Sequence, residues 1–409
     1  MSPADPAIPR ERLLAHKPFR LFWIGRVLST SGFQIAGVVV GWKIYADTGS
    51  ALALGMIGLA QFLPMLLLTF VVGHVADRFD RRRIAMTCQS IECATLAVLA
   101  LGIHFGFLAV EGIFAAVFVL GAARAFETPS MTSLLPRVVS TAVLPRATAV
   151  SSSATQTAVI VAPSLGGLLY AFGPEVSLAA GILCFVGAVT AIGSLKVATV
   201  AMPRMPVTLR SVFSGVSFIW QRKIILGAVS LDMFAVLLGS VVSILPIFAQ
   251  DILMVGPWGL GLLRSMPAIG AVSMSLVLAR VDLQPGVGRK MFLAVIVFGL
   301  GTIVFSASTW LPLSCIALAV MGAADNISVV VRNSLVQIQT PDEMRGRVNA
   351  VNALFIGTSN QLGEFEAGTV AHFIGAVNAG LVGGVCTILV ALLWMRLFPA
   401  HRNAQRVVE

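Results

Sequence analysis

Six residues able to bind a proton or hold a charged molecule lie where the chain is otherwise apolar: Arg26, Arg124, Glu127, Asp232, Asp325 and Asn326. A charge at the centre of a membrane-spanning helix costs ~2.5–3.5 kcal/mol on insertion scales, so each needs a partner, a water-filled cavity or a function. The chemistry open to such a set is proton uptake and release. An arginine keeps its proton, so Arg26 and Arg124 would act by holding a nearby carboxylate, Glu127 or Asp232, in its ionised form. A movement that withdraws the arginine leaves a buried acid that captures a proton. Glu127 and Asp232 are the leading proton carriers and Asp325 the third. A structural reading stands beside this one, because Arg124 and Glu127 are i,i+3 on one helix and can satisfy each other. A second group, Arg264 with Glu364 and Glu366, is matched in depth and is expected to form a structural bridge. Glu92 has no partner that the sequence identifies.

The elements that position these residues follow from composition. Hydrophobic residues make up 57% of the 409 and charged residues only 11%, against about 25% charged in a soluble domain. Mean hydropathy is +0.92. Apolar runs lie at about 19–44, 52–72, 84–107, 112–134, 146–170, 176–196, 224–248, 259–279, 291–308, 312–335, 347–372 and 375–397. A bilayer crossing takes ~20 residues, so the expectation is an all-α membrane protein with twelve transmembrane helices. Arg26, Arg124, Glu127, Asp232, Asp325 and Asn326 fall in runs one, four, seven and ten, two to three turns from one end of each.

Charge sets the orientation. One set of loops holds Arg10, Arg12, Lys17, Arg78, Arg81, Arg82, Arg83, Arg137, Arg204, Arg210, Arg222, Arg280, Arg289, Arg345, Arg402 and Arg406, and the opposite set holds no Lys or Arg. By the positive-inside rule both termini are cytoplasmic, in the inner membrane of a cell. The net charge of +10 then suits the anionic inner leaflet rather than nucleic acid. The first run is too long for a cleaved signal and lacks a small-residue cleavage site. Cys88, Cys93, Cys184, Cys315 and Cys386 all fall inside apolar runs and read as small core residues. The five histidines show no metal spacing, and no catalytic triad or phosphate loop is present. No enzymatic activity, metal or cofactor is expected.

The chain repeats itself. Gly121-Ala-Ala123 returns as Gly322-Ala-Ala324, Ser133-Leu134 as Ser334-Leu335, Arg146 as Arg347, Ala149-Val150 as Ala350-Val351 and Gly167 as Gly368, all at an offset of 201. Two parallel six-span halves explain a constant offset. The expected layout is a cytoplasmic segment over 1–18, a six-helix bundle over 19–196, a cytoplasmic linker over 197–222, a second bundle over 223–397 and a tail over 398–409. Within the linker, Leu209 to Trp220 reads as an amphipathic surface helix.

Between the second and third runs stands Gly73-His-Val-Ala-Asp77-Arg78-Phe-Asp80-Arg81-Arg82-Arg83. This pattern resembles the loop signature of the major facilitator superfamily, with Asp80 where the family usually has a second glycine. Leu120 to Thr128, containing Arg124 and Glu127, is similar to the span-four signature of proton-coupled drug exporters. Val161-Ala-Pro-Ser-Leu-Gly-Gly167 is similar to their span-five signature. Phe19-Arg-Leu-Phe-Trp23 and Thr340 to Arg347 look most like the bacterial drug and siderophore (enterobactin-type) exporter branch. The resemblance implies two pseudo-symmetric bundles with spans one, four, seven and ten lining a central cavity, and span three peripheral. It implies a monomeric, proton-driven exporter of a medium-sized organic molecule working by alternating access. An importer or lipid flippase of the same fold, or a non-transporting sensor or secretion accessory, is the alternative. Thr340-Pro-Asp-Glu343 reads as a capping box opening the helix into span eleven. Asp77 would latch against that N-terminus as a cytoplasmic gate.

Overall fold

The computed structural model describes residues 13–140, 142–195, 209–281 and 286–403. After a 3-10 turn at Leu13–Ala15 come α1 (Lys17–Thr48), α2 (Ala51–Arg78), α3 (Arg81–His104), α4 (Val110–Val138), α5 (Leu144–Tyr170) and α6 (Pro174–Gly193). The short α7 (Leu209–Gln221) leads to α8 (Lys223–Gly239), α9 (Leu245–Ile247) and a π-helical turn at Phe248–Ile252. Then follow α10 (Gly256–Leu278), α11 (Val287–Ala307), α12 (Leu311–Gln339), α13 (Asp342–Ile374), α14 (Ala376–Leu397) and α15 (Pro399–Arg402). No strand occurs among the described residues.

The long helices fall on the twelve apolar runs in order. Eight of them are long and apolar enough to cross a membrane by length and composition. The other four are α4, α5, α8 and α13. Two of these carry charges inward, α4 with Arg124 and Glu127 and α13 with Glu364 and Glu366, while α5 is rich in Ser and Thr. The helices open on local signals. Asp80 caps α3 by accepting from the Arg82 N–H at 3.0 Å. Prolines stand in the first turn of α5, α6, α10 and α12, where a missing N–H is harmless.

Two sequence expectations change here. The seventh apolar run is not one helix: α8 ends at Gly239, and Ser240 is extended (ψ 120°). Pro246 stands in the first turn of the short α9 that follows, where its missing N–H is harmless. The capping box at Thr340 does not form. The helix starts at Asp342 with Pro341 at the cap, and the buried Thr340 hydroxyl has no hydrogen-bond partner. One residue too far from the helix, it cannot reach the free N–H groups.

By contacts the chain divides into two compact units. The first comprises Met1–Val40 with Leu63–Met205, the second Gly41–Phe62 with Pro206–Glu409. In the first, α3 packs along both α4 and α6, over a core that includes Phe19, Phe22, Met131, Leu134, Leu135 and Ile192. In the second, α12 packs along α10 and α11, and α11 along α14, with Leu231, Met291, Phe292, Val331 and Leu335 buried between them. Glycine permits the closest approach: a Cβ on Gly322 would lie 1.8 Å from the Pro267 carbonyl oxygen, and one on Gly270 1.8 Å from that of Ala319. The segment Gly41–Phe62 belongs to the second unit through similar contacts, Gly55 lying against the backbone of Phe365 and Gly368. The amphipathic α7 buries Ile219 with Val229, Val336, Val348 and Val351 and leaves Trp220 exposed.

Candidate functional site

In the first unit the site is built around Glu127. It sits mid-way along α4, 1% exposed, because Ala123, Ser130 and Met131 place that face of the helix inward. Its carboxylate accepts hydrogen bonds from three elements. Arg124, one turn earlier on α4, pairs with Oε2, while Ser29 of α1 and Gln89 of α3 donate to Oε1, the latter at 2.9 Å. Arg124 also donates to the Ser29 hydroxyl at 3.1 Å and stacks over the Phe33 ring at 4.8 Å. These donors fix the orientation of the carboxylate. The i,i+3 pairing read from the sequence is therefore present, reinforced by a serine and a glutamine that the sequence reading passed over. Arg26 is close enough to feel both charges, yet its hydrogen bond goes to Ser151 of α5 at 3.4 Å.

The second unit holds a matching pair with a different arginine. Asp232 on α8 is bonded to Arg332 on α12, with Ser328 donating to Oδ1 at 3.1 Å. All three are buried. The expected partners of Asp232, Arg26 and Arg124, lie in the first unit and are engaged there. Arg332 was the residue missed. It lies in the tenth apolar run, and the 201 offset sets it against Met131, so the internal repeat does not flag it. The signal that would have found it is helical spacing: Asp325, Ser328 and Arg332 at i, i+3 and i+7 share one face. Asp325 and Asp232 line a small cavity together with Ser328, Phe298 and neighbouring apolar side chains. Asn326 turns away from it and donates to Ser275 of α10 at 3.0 Å.

The outer-half group also differs from expectation. Arg264 and Glu364 act on each other electrostatically, but no ion pair within 4.0 Å joins them among the described residues. The Arg264 Nε is buried without a hydrogen-bond partner. Glu364 lies instead against Gly58, where an added Cβ would come within 2.8 Å of its own. No polar contact of Glu366 is among those described.

The basic loop has a structural use that charge counting does not reveal. Arg82 Nε donates to the Ile192 carbonyl at 3.0 Å, and its Nη2 to that of Gly193. A guanidinium thus closes the C-terminus of α6, giving a donor to the Gly193 carbonyl and a further one to that of Ile192, which also accepts from the Leu195 N–H, at the negative end of the helix. Arg81 is buried, whereas Arg78 and Arg83 are exposed. Gly73, Asp77 and Glu343, on which the expected gate depends, are not among the residues whose surroundings are described. In the span-five segment, Ser177 donates to the Gly166 carbonyl at 2.9 Å, and Gly166 sits 3.2 Å from the Ile35 backbone as measured from an added Cβ. That close crossing accounts for the glycine.

The multidrug efflux pump Tap of Mycobacterium tuberculosis is 26% identical over 402 residues, covering 94% of each chain. The enterobactin exporter EntS of Citrobacter koseri is 26% identical over 408 residues, covering 96% of this chain and 94% of that one. Among solved structures, a bacterial homologue of the human lysosomal transporter Spinster superposes with a TM-score of 0.74 at 14% identity, over 96% of this chain and 99% of that one. The family model described as transmembrane secretion effector matches residues 12–406. The chain, a multi-pass membrane transporter, therefore belongs to the transmembrane secretion effector family of the major facilitator superfamily.

Proposed function

We propose that this transporter exports a medium-sized organic molecule, of the drug or siderophore type, in exchange for protons by alternating access. One observation carries the reading: each unit buries a carboxylate against an arginine among its long helices, Glu127 with Arg124 and Asp232 with Arg332. A purely structural fold would do better with apolar side chains at those positions, since a buried ion pair is often no more stable than well-packed hydrophobic residues of similar volume. As the basis of coupling the arrangement has a use. While the arginine is in place the acid stays ionised; when the helix carrying the arginine shifts, the acid takes a proton. Substrate that competes for the arginine or the carboxylate would then exchange with the proton. The names of Tap and EntS support the direction and the substrate class. The transporter works as a monomer in the cytoplasmic membrane with both termini inside.

The test is proton flux in proteoliposomes containing the full chain, challenged with a panel of siderophores and antibiotics. At least one compound should drive proton movement opposite to its own, and an imposed pH gradient should move it uphill. Transport of a panel member that ignores the pH gradient would refute proton coupling, and uptake in the inward direction would refute export.

A further inference from the structure

Glu92 is a buried carboxylate of the first unit that neither the sequence nor the Glu127 cluster accounts for. It lies half-way along α3 and is 0% exposed. Both of its carboxylate oxygens lack a hydrogen-bond partner. Three residues earlier on the same helix face, Gln89 is also 0% exposed. Its amide nitrogen is committed to Glu127, and its Oε1 is likewise without a partner. Two buried side chains one turn apart on α3 thus carry acceptors without a donor. Two acceptors cannot bond to each other unless one carries a hydrogen, and of these only the carboxyl can take one.

The surroundings give no other remedy. From α4, Arg124 and Glu127 act on Glu92 electrostatically, but the hydrogen bonds of Arg124 go to Glu127 and Ser29. On α3 itself the neighbouring ionisable group is the Cys88 thiol, one turn back. The other helix packed along α3 is α6. Its single carboxylate, Glu175, stands in its first turn beside His104, and its only other ionisable group is the Cys184 thiol. Arg26, the other cation of the cluster, acts on Arg124 and Glu127 and bonds to Ser151; among the described residues no cation pairs with Glu92.

We propose that Glu92 is a proton-binding site: a neutral acid at mid-membrane that donates to Gln89 Oε1 and, through the Gln89 amide, is linked to the Glu127 carboxylate. The chain acid–amide–carboxylate gives a partner to one Glu92 oxygen and to Gln89 Oε1, and it leaves the second Glu92 oxygen as a neutral carbonyl rather than half of a buried charge. It also couples the two acids, because ionising Glu92 would put a second negative charge beside Glu127. In the conformation described the pair holds one proton, on Glu92, and Glu92 is then a second proton-binding carboxyl of the transport cycle. That last step rests on the proton-coupled reading above; the protonation of Glu92 does not.

Infrared spectroscopy of the full-length transporter in nanodiscs at neutral pH reads the proton directly. A carbonyl stretch of a buried carboxylic acid should be present, absent in Glu92→Gln and retained in Glu127→Gln. Glu92→Gln should keep its thermal stability, since the new amide still donates to Gln89, whereas Glu92→Leu should lose stability. An acid band that survives unchanged in Glu92→Gln overturns the proposal. In proteoliposomes, Glu92→Gln should lose pH-driven export yet still exchange substrate downhill; full pH-driven export in this variant overturns the role in coupling. If the wild-type chain shows no pH-driven transport for any compound it carries, the proton-coupled reading fails, while the infrared band still decides whether Glu92 holds a proton.

Discussion

Breaking the Asp232–Arg332 pair from each side should have unequal consequences. Both partners are nearly inaccessible, at 5% and 2% exposure, so neither charge can be rescued by water. Asp232→Asn leaves a guanidinium that cannot give up its proton. Stranding one member of a buried pair in this way costs ~3–5 kcal/mol. Arg332→Met strands the carboxylate, which has an escape, because it can take a proton and keep its contact with Ser328. At pH 7 that protonation costs at most about 4 kcal/mol, the distance from an ordinary aspartate at ~1.4 kcal/mol per pH unit. At pH 5 it costs only about 1.5 kcal/mol. The sign follows from proton counting. Above pH ~4 the folded variant holds a proton on Asp232 that its unfolded chain does not, so stability rises as the pH falls. The damage in Arg332→Met should therefore shrink on acidification, that in Asp232→Asn should not, and the double variant should recover most of the loss of either single one. Thermal unfolding of the purified full-length protein at pH 5 and pH 7.5 measures all three. Equal, pH-independent losses in the two single variants, or a double variant as unstable as the worse of them, would refute a charge pair as what holds α8 to α12.

Arg82→Gln should lower thermal stability by ~1–3 kcal/mol, because a charged donor to two α6 carbonyls is lost; Arg83→Gln, at an exposed position, should change it far less, and equal effects would argue against the clasp. Gly322→Ala should destabilise the transporter by ~1–3 kcal/mol or more, since the 1.8 Å approach to the Pro267 carbonyl must open toward ordinary contact; unchanged melting would mean that α10 and α12 separate freely. His401, beyond the last span, is fully buried against the Phe292 ring, 5.1 Å between centroids, and burial lowers its pKa to about 4. The folded pKa is depressed, so docking of α15 should be intact above pH ~6.5 and weaken as the pH falls toward 4. Fluorescence of Trp394, which packs with Phe398, should report the change, and His401→Phe should abolish it; the same titration in that variant would assign it to another group.

The sequence by itself determined a great deal of this protein. Run length and hydropathy are local quantities, and they located the long helices in order, with the largest error at the end of the seventh run. The Gly73–Arg83 signature and the span-four and span-five segments pointed to the superfamily, which the comparisons bear out. The rule that a buried charge demands an explanation singled out Glu127, Asp232 and Asp325 before any coordinates. Partnership was decided only by the tertiary structure. Asp232 faces Arg332 and not an arginine of the first half, because helix rotation and crossing choose the partner and neither is written in one helix's sequence. Ser29 and Gln89 look like ordinary polar residues until α1 and α3 bring them to Glu127. The break after Gly239 falls in a run whose apolar character never changes, so hydropathy carries no trace of it. Glu92 joins both levels. Its sequence position announced a charge without a partner, and only the packing of α3 against α4 and α6 showed that its carboxyl and the Gln89 Oε1 one turn away are both buried acceptors without a donor.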